Sequence, residues 1–248
     1  MALPFFYIET IDPSLSSFVL NEETSKHVAQ VLRMQWGEQL QLTDGEGNLF
    51  TAQITDNNKK QVAVKITESS SIQHPVSSIS IAISLIKNRS RFEWFLEKAT
   101  ELGVTEIIPL ICERTEKEKF RFDRMKSILV SAMLQSQQCW LPLLHEPVSF
   151  DKLWQDPETL PKFRTLAKLE GYQQKFIAHC IETEKRNLAD MINENLSSKI
   201  ILIGPEGDFT SEEVQSAIEH HFIPVALGNT RLRTETAGIV AATLLCFV

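Results

Sequence analysis

The first part of the chain consists of short apolar runs separated by polar turns. Asp-Gly-Glu-Gly at 44–47 and Asn-Asn at 57–58 are typical turn sequences. Val62, Val64 and Ile66 alternate with polar or small residues, which is the period of a half-buried antiparallel strand. The pattern predicts strands at 4–8, 38–44, 48–56 and 61–68, and one helix at 24–33. Closing these strands into a barrel of about 70 residues would remove their exposed edges.

After a polar linker at 69–75, longer apolar runs alternate with segments of helical period. In the segment 91–102, Phe92 and Phe95 share one helix face, and Gly103 follows as a C-cap. The pattern predicts strands at 79–86, 106–111, 164–169, 200–203 and 222–227, and helices at 91–102, 122–135 and 173–184. Strands that alternate with helices indicate a parallel sheet covered on both faces, and therefore an α/β fold.

The last fifth of the chain carries two loops that each follow an apolar run. The first loop, 204–208, reads Gly-Pro-Glu-Gly-Asp and follows the run 199–203. Thr210 and Glu213 then form a capping box that starts a helix. In a parallel sheet the carboxyl ends of the strands are where ligands bind. This loop is therefore a candidate ligand site, although a glycine-rich turn can also be purely structural.

The second loop leads from Gly228 through Arg-Leu-Arg-Thr-Glu-Thr at 231–236 into an apolar helix that ends the sequence. It can be a polar helix start, with Thr234 as N-cap and Glu235 near the positive helix end. It also follows a strand, so both loops can contribute to one site.

Composition and charge narrow the class of protein. With 248 residues and 43% hydrophobic content, the chain can form two domains, which we place at 1–73 and 74–248. The formal net charge of -7 argues against a protein that coats nucleic acid nonspecifically. The four cysteines are far apart and belong to no CxxC motif, so we expect no disulfide framework, no zinc or other metal site, and a reducing, cytoplasmic location.

We expect no membrane association. The apolar stretch 2–8 lacks a preceding basic segment and is followed at once by Glu9 and Asp12, unlike a signal peptide. The apolar run 237–248 is shorter than the roughly 20 residues that cross a bilayer. We interpret that run as a helix buried in the core or at a subunit interface.

The candidate site favours a neutral or cationic ligand. The loop 204–208 matches neither the dinucleotide nor the P-loop pattern. Glu206 and Asp208 would compete with a phosphate for the amides of the following helix. The six histidines are scattered, and no GxSxG motif is present, so triad hydrolysis is disfavoured.

A basic cluster follows the first strand of the second domain. Lys87, Arg89 and Arg91 can be a solvated surface, since Glu93 offsets part of their charge. At the carboxyl end of a strand they can also hold the phosphates of a nucleic acid. The sequence leaves both interpretations open.

Several motifs occur together and in a fixed order. They are Lys87-Asn88 with the segment 91–104, Gln135-Ser136, Ile203-Gly204-Pro205-Glu206-Gly207, Leu227-Gly228 and Leu232-Arg233-Thr234-Glu235-Thr236-Ala237. This ordered set resembles the ribosomal RNA small subunit methyltransferase E family, which belongs to the SPOUT superfamily. The resemblance extends over nearly the whole chain, including 27–33 and Asp44-Gly45.

The resemblance implies an enzyme that uses S-adenosylmethionine to methylate N3 of one uridine in the decoding region of 16S ribosomal RNA, in the 30S subunit. It also implies a homodimer formed through the C-terminal domain. The implied fold is a PUA-like barrel followed by a SPOUT α/β domain with a C-terminal trefoil knot. General connection rules argue against a knot, so this feature rests on the resemblance alone.

The resemblance also implies residue roles. The cofactor pocket is expected at Ile203, Gly204, Pro205, Glu206, Gly207, Leu227, Gly228, Leu232, Arg233, Thr234, Thr236 and Ala237. RNA contacts are expected from Arg33, Lys59 and Lys60 in the barrel and from Lys87, Arg89, Arg91 and Lys98 in the second domain. For catalysis we expect Arg233 to stabilise the developing uracil anion, while Glu206 or Glu235 accepts the proton or orients the base.

The chain departs from the family pattern at several positions. Asp208 stands where many members have a glycine, and Gln138 where many have arginine, so neither takes the usual role. His221 and the lead-in 229–231 also differ. The alternatives are a non-catalytic RNA-binding protein, a small-molecule enzyme, and a methyltransferase for another RNA site. The retained loops favour an enzyme, and the extra barrel disfavours a small-molecule substrate.

Overall fold

The computed structural model describes residues 3–11, 16–75, 77–116, 119–154, 169–182 and 184–247. The chain divides into two compact units. The first consists of Met1–His74 with Met133–Leu141, and the second of Pro75–Ala132 with Pro142–Val248.

The first unit is a five-stranded sheet with one helical segment. Its strands are β1 (Phe5–Tyr7), β2 (Ser17–Val19), β3 (Gln39–Thr43), β4 (Asn48–Asn58) and β5 (Gln61–Ser71), and its helix α1 (Glu22–Lys26) continues as a π-helical turn at His27–Val31. The strand order is β1-β3-β4-β5-β2, and all pairs except β1 with β3 are antiparallel. The sequence predicted all of these strands except the three-residue β2.

A single core holds this sheet together. Phe6 from the β1 edge and Leu20, directly after the β2 edge, belong to the same buried cluster as Val28, Leu40 and Val62. Because both edges contribute to one core, the sheet curves round it as a small barrel does. Two register shifts between β4 and β5 mark bulges, which bend a long hairpin.

Residues 133–141 belong to the first unit, whereas the sequence prediction placed them in the second domain. The amide of Gly47 donates to the carbonyl of Cys139 at 2.9 Å, and the amide of Leu141 donates to the carbonyl of Gly45 at 2.8 Å. Gly47 has a φ of 89°, and a Cβ there would lie 2.2 Å from the Trp140 ring. Glycine is therefore required where the indole packs against the 44–47 turn.

The second unit is an α/β layer whose strand pairs are all parallel. Its strands are β6 (Ser78–Ser84), β7 (Glu106–Ile111), β8 (Leu143–Leu144), β9 (Val148–Ser149), β10 (Gln174–Ala178), β11 (Arg186–Asn187), β12 (Ser198–Ile203) and β13 (Ile223–Ala226). Its helices are α2 (Arg89–Leu102), α3 (Phe122–Gln135), α4 (Leu188–Met191), α5 (Ser211–Glu219) and α6 (Thr234–Phe247). Short 3-10 turns occur at Phe150–Trp154 and Leu169–Gly171.

The sheet order is β11-β13-β10-β12-β6-β7-β8, and β9 also pairs with β7. The prediction of a helix at 173–184 is wrong, because residues 174–178 form strand β10. Its two buried residues, Phe176 and Ile177, fit a helix face as well as a short strand, and pairing with β12 and β13 on both sides decides the outcome. Of the strand predicted at 164–169, residues 164–168 lie outside the described residues.

The final helix α6 packs closely against α2 and β6. A Cβ on Gly238 would lie 2.7 Å from the Phe95 ring and 2.8 Å from Ile83, so no other residue fits without displacing the helix. The opposite end is exposed, since Phe247 retains 69% of its accessible surface. No helix within the described ranges is apolar over enough residues to cross a membrane.

A buried polar cluster lies where β7 begins. The Glu106 carboxylate accepts hydrogen bonds from the hydroxyls of Ser80 and Tyr172, and its Oε1 lies 2.6 Å from Nε2 of His145. Burial alone would raise the pKa of the Glu106 carboxyl, but His145, Ser80 and Tyr172 outweigh it, so that this pKa is lowered. The same carboxylate and the burial raise the pKa of Tyr172.

We expect Glu106→Gln to destabilise the protein by about 3 kcal/mol at neutral pH, because it breaks a buried charged network. A carboxyl with a lowered folded-state pKa contributes stability above its unfolded pKa, near 4.5. That contribution is lost as the pH falls from this value through the folded pKa. Urea unfolding between pH 3 and pH 7 should therefore show a weaker acid dependence in the variant.

Glu97→Gln is the matched control, because Glu97 is about half exposed and pairs only with the neighbouring Lys98 among the ion pairs found in the described chain. Its effect should stay below about 1 kcal/mol. An unchanged acid slope in Glu106→Gln would contradict the assignment.

Candidate active site

A cavity of about 670 Å³ lies at the carboxyl ends of β10, β12 and β13. Because β10 lies between the other two strands, the loops that follow all three converge on it. Its walls are formed by 178–180 with Lys185, by 203–206 with Asp208, and by 225–234 with Ala237. Its volume is typical of small-molecule sites, which occupy about 300–1,000 Å³.

Most of the predicted cofactor residues border this cavity. They are Ile203, Gly204, Pro205, Glu206, Leu227, Gly228, Leu232, Arg233, Thr234 and Ala237. Gly207 and Thr236 are not among the lining residues. The carbonyl of Gly207 instead accepts a hydrogen bond from the Arg114 guanidinium at 2.8 Å. The two predicted loops therefore meet at one site, while the role of each residue stays a prediction.

Asp208 links the first loop to the end of β10. Its Oδ2 accepts a hydrogen bond from the amide of Cys180 at 2.8 Å, and its Oδ1 accepts from the amide of Phe209 at 2.9 Å. Its own amide donates to the carbonyl of Pro205. The residue has a φ of 64°, which glycine adopts without strain and aspartate tolerates better than most residues. Asp208 thus keeps the turn geometry and adds a side-chain contact that glycine cannot make.

The Gly-Pro-Glu-Gly-Asp loop is anchored on both sides. Oε1 of Glu206 accepts a hydrogen bond from the amide of Lys87 at 3.2 Å. On the other side, the capping box predicted from Thr210 and Glu213 is present, and Oε1 of Glu213 also accepts from the amide of Glu113. These contacts fix the loop before any ligand binds.

The residues that follow β10 were not predicted as site residues. Nζ of Lys185 donates to the carbonyls of His179 and Ile181, both at 2.7 Å, and lies 3.5 Å from Nδ1 of His179. His179 is 7% exposed, and burial, followed by the nearby Lys185 charge, lowers its pKa despite Asp208. The cavity therefore has a neutral imidazole and a fixed ammonium on this wall. Because the segment had a helical pattern, nothing in the sequence placed either residue at a strand end.

The third predicted catalytic residue lies elsewhere. Glu235 is buried and does not line the cavity, and its Oε1 lies 3.6 Å from Nε of Arg91. Its Oε2 has no hydrogen-bond partner among the residues that the structure describes. Arg233 and Glu206 do border the cavity, so two of the three predicted catalytic residues are brought together.

The basic residues of the second unit that were predicted to bind RNA have acidic neighbours. Nζ of Lys87 lies 2.9 Å from Glu116, and Nζ of Lys98 lies 2.8 Å from Glu97 and 2.9 Å from Glu101. Hydrogen bonds to these two glutamates raise the pKa of Lys98. Within the described part of the chain, no group of three or more His, Cys, Asp or Glu residues could hold a metal ion.

Comparison with known proteins identifies the family. The RNA methyltransferase PUA domain family matches residues 20–67, and the RNA methyltransferase domain family matches residues 73–246. A relative from Synechocystis, named Ribosomal RNA small subunit methyltransferase E, is 33% identical over 222 residues, which are 87% of this chain and 68% of the relative. The chain belongs to the ribosomal RNA small subunit methyltransferase E family. The resemblance drawn from the sequence is confirmed.

Solved structures similar to this chain share its fold. A probable rRNA-methyltransferase from Porphyromonas gingivalis is 34% identical, with a TM-score of 0.84 over 97% of this chain and 95% of that protein. A putative methyltransferase from Legionella pneumophila, in complex with the cofactor SAM, is 30% identical, with a TM-score of 0.82 over 99% of this chain and 97% of that protein. The predicted PUA-like domain followed by a parallel α/β domain is confirmed, and the trefoil knot stays a prediction.

Substitutions at Asp208 should separate its backbone role from its side-chain role. Asp208→Asn keeps an acceptor and tolerates the positive φ, so it should cost least. Asp208→Gly keeps the φ but loses the contact with Cys180, and Asp208→Ala loses both, with a cost of about 1–3 kcal/mol. Urea unfolding should therefore rank the variants Asn, Gly, Ala in decreasing stability. Equal stability of Gly and Ala would show that the backbone conformation is not the constraint.

Proposed function

We propose that this protein transfers a methyl group from S-adenosylmethionine to N3 of a uridine in small-subunit ribosomal RNA, in the 30S subunit. The observation that carries this proposal is the cavity at the carboxyl ends of three parallel strands, since the two loops that border it lie within the residues matched by the RNA methyltransferase domain family. The structure of the similar putative methyltransferase from Legionella pneumophila contains the bound cofactor SAM, which supports the same cofactor for this chain.

The residues of the cavity fit that cofactor. Ile203, Leu227 and Leu232 offer apolar surface suited to an adenine ring. The glycines at 204 and 228 expose backbone amides and carbonyls that can form hydrogen bonds with a neutral ligand. Glu206 and Asp208 add negative charge, which suits a sulfonium cation and disfavours a phosphate. When bound, the cofactor supplies an electrophilic methyl group.

The chain's own residues supply the remaining chemistry. Methyl transfer to uracil N3 requires removal of the N3 proton and stabilisation of the resulting negative charge. Arg233 is an exposed cation on the cavity rim. We propose that it stabilises the negative charge that develops on the uracil ring. For the proton we favour Glu206 over Glu235, because Glu206 borders the cavity whereas Glu235 is buried beside Arg91.

The partner assignments are part of the same proposal. We propose that ribosomal RNA is contacted by basic residues of both units. They are Arg33, Lys59 and Lys60 in the first unit and Lys87, Arg89, Arg91 and Lys98 in the second. The proposal includes a homodimer formed through the C-terminal domain, as the family resemblance implies. The four free cysteines fit a cytoplasmic protein.

Arg233→Ala should lower kcat by about 100-fold or more, the usual cost of losing one group that stabilises a developing anion. The Kd for S-adenosylmethionine should change little, because the cavity walls remain. Arg233→Lys keeps the charge and should retain part of the activity. Labelled methyl incorporation into 30S subunits gives kcat, and calorimetry gives the Kd. A loss confined to cofactor affinity would contradict the assigned role.

The product identifies the reaction. Nucleoside mass spectrometry of 30S ribosomal RNA treated with the enzyme should show new 3-methyluridine. A different methylated nucleoside would indicate another RNA site, and binding without any methyl incorporation would indicate a non-catalytic RNA-binding protein. Unmodified subunits treated with Arg233→Ala serve as the matched control.

A further inference from the structure

The segment 31–36 of the first unit presents apolar side chains to solvent. Val31 is 68% exposed, Leu32 is 42% exposed and Trp36 is 75% exposed. An indole is among the largest apolar groups in proteins, and it is usually largely buried. A surface indole next to two further exposed apolar residues therefore marks an interaction surface.

The loop that carries Trp36 is firmly held. The amide of Met34 donates to the carbonyl of Val28 at 3.0 Å, and the Met34 side chain is buried. The amide of Gln35 donates to Oε2 of Glu38 at 2.7 Å, and the amide of Gly37 donates to the carbonyl of Ile54 at 2.8 Å. Trp36 is thus held between anchored neighbours, so little backbone entropy is lost when a partner binds.

Cationic residues lie on the same loop and on the hairpin beside it. Arg33 is exposed and has a φ of 55°. The side-chain amide of Asn57 at the end of β4 donates to Oε1 of Gln35 at 3.3 Å, which places the Lys59-Lys60 turn of the β4–β5 hairpin next to the loop. Two carboxylates lie on the same elements: that of Glu38 accepts a hydrogen bond from the amide of Gln35, and that of Asp56 accepts one from the amide of Asn58.

We propose that Trp36 is a stacking platform for an unpaired RNA base, and that Arg33, Lys59 and Lys60 contact the neighbouring phosphates. This rests on the proposed function, in which the first unit binds ribosomal RNA. A flat aromatic ring with cations on the same loop and on the adjacent hairpin is typical of sites that hold single-stranded nucleic acid. In a chain of net charge -7, this local positive charge favours an anionic partner over an apolar protein surface.

Variants of Trp36 and of the two lysines separate the contribution of the ring from that of the charges. Stacking of one base contributes about 1–3 kcal/mol, so Trp36→Ala should weaken RNA binding by about 5- to 150-fold. Trp36→Phe keeps a flat ring and should retain most of the affinity. Replacing Lys59 and Lys60 by Gln should lower the salt dependence of binding, whereas Trp36→Ala should leave the salt dependence unchanged.

The test uses the full chain and two probes, a short fluorescent oligouridylate and 30S subunits. Anisotropy gives the Kd for the oligouridylate, and methyl incorporation gives KM for the subunits, which should rise in Trp36→Ala while kcat is kept. Val19→Ser is the matched control, since Val19 is an exposed apolar residue of the same unit that lies outside the segment 31–36 and carries no ring. Calorimetry with S-adenosylmethionine should give the same Kd for every variant.

Three results would overturn the proposal. Trp36→Ala could leave both the oligouridylate Kd and the KM for subunits unchanged. Trp36→Phe could be as weak as Trp36→Ala, which would exclude stacking. Trp36→Ala and Val31→Ser could instead both shift the sedimentation of the free protein, which would indicate a protein interface. Failure of the proposed function is distinct, because it removes methyl incorporation in the wild type while the effect of Trp36 on oligouridylate binding persists.

Discussion

The pairing of β10 between β12 and β13 is the interaction on which the site depends. Ala178 pairs with Ile203 on one side and with Val225 on the other, so the three strands end at the same level. Their following loops consequently start from one edge and enclose a common space. Because β10 lies between them, β12 and β13 are two strand spacings apart, about 10 Å, so the loops that follow them form opposite walls.

The loops are held by contacts that come from different parts of the chain. Asp208 connects the first loop to β10, Arg114 binds the Gly207 carbonyl, and Glu206 accepts from the amide of Lys87. Each contact satisfies a backbone amide or carbonyl at a strand end or in a turn. The cavity is therefore preorganised, and binding energy is not spent on ordering its walls.

Periodicity in the sequence predicted most of the elements but not the strand that completes the site. The helices at 91–102 and 122–135 have long, regular apolar faces and were found close to their predicted positions. Strand β10 has only five residues, and its identity is decided by neighbours that are distant in the sequence. For the same reason His179 and Lys185 could not be placed at the cavity.

Other features depend on contacts that no local pattern encodes. The packing of Trp140 over Gly47 assigns 133–141 to the first unit, although 133–135 are the last residues of α3, which begins in the second unit. Glu235 and Glu206 both lie in loops at strand ends in the sequence, yet only the three-dimensional structure shows that one is buried beside Arg91. The strongest sequence signals were the two loops themselves, because glycine, proline and capping residues act locally.

The pairing of the three strands whose ends form the cavity also affects how the chain folds. Strand β10 is joined to β12 and β13 only after residues far apart in the sequence have met, as the pairing of Ala178 with Val225 requires. Contacts of this kind form slowly, since the entropy of closing long loops must be lost before the pairing stabilises anything. The cavity is thus complete only when β13 has docked beside β10, and a chain that lacks this pairing has no binding site.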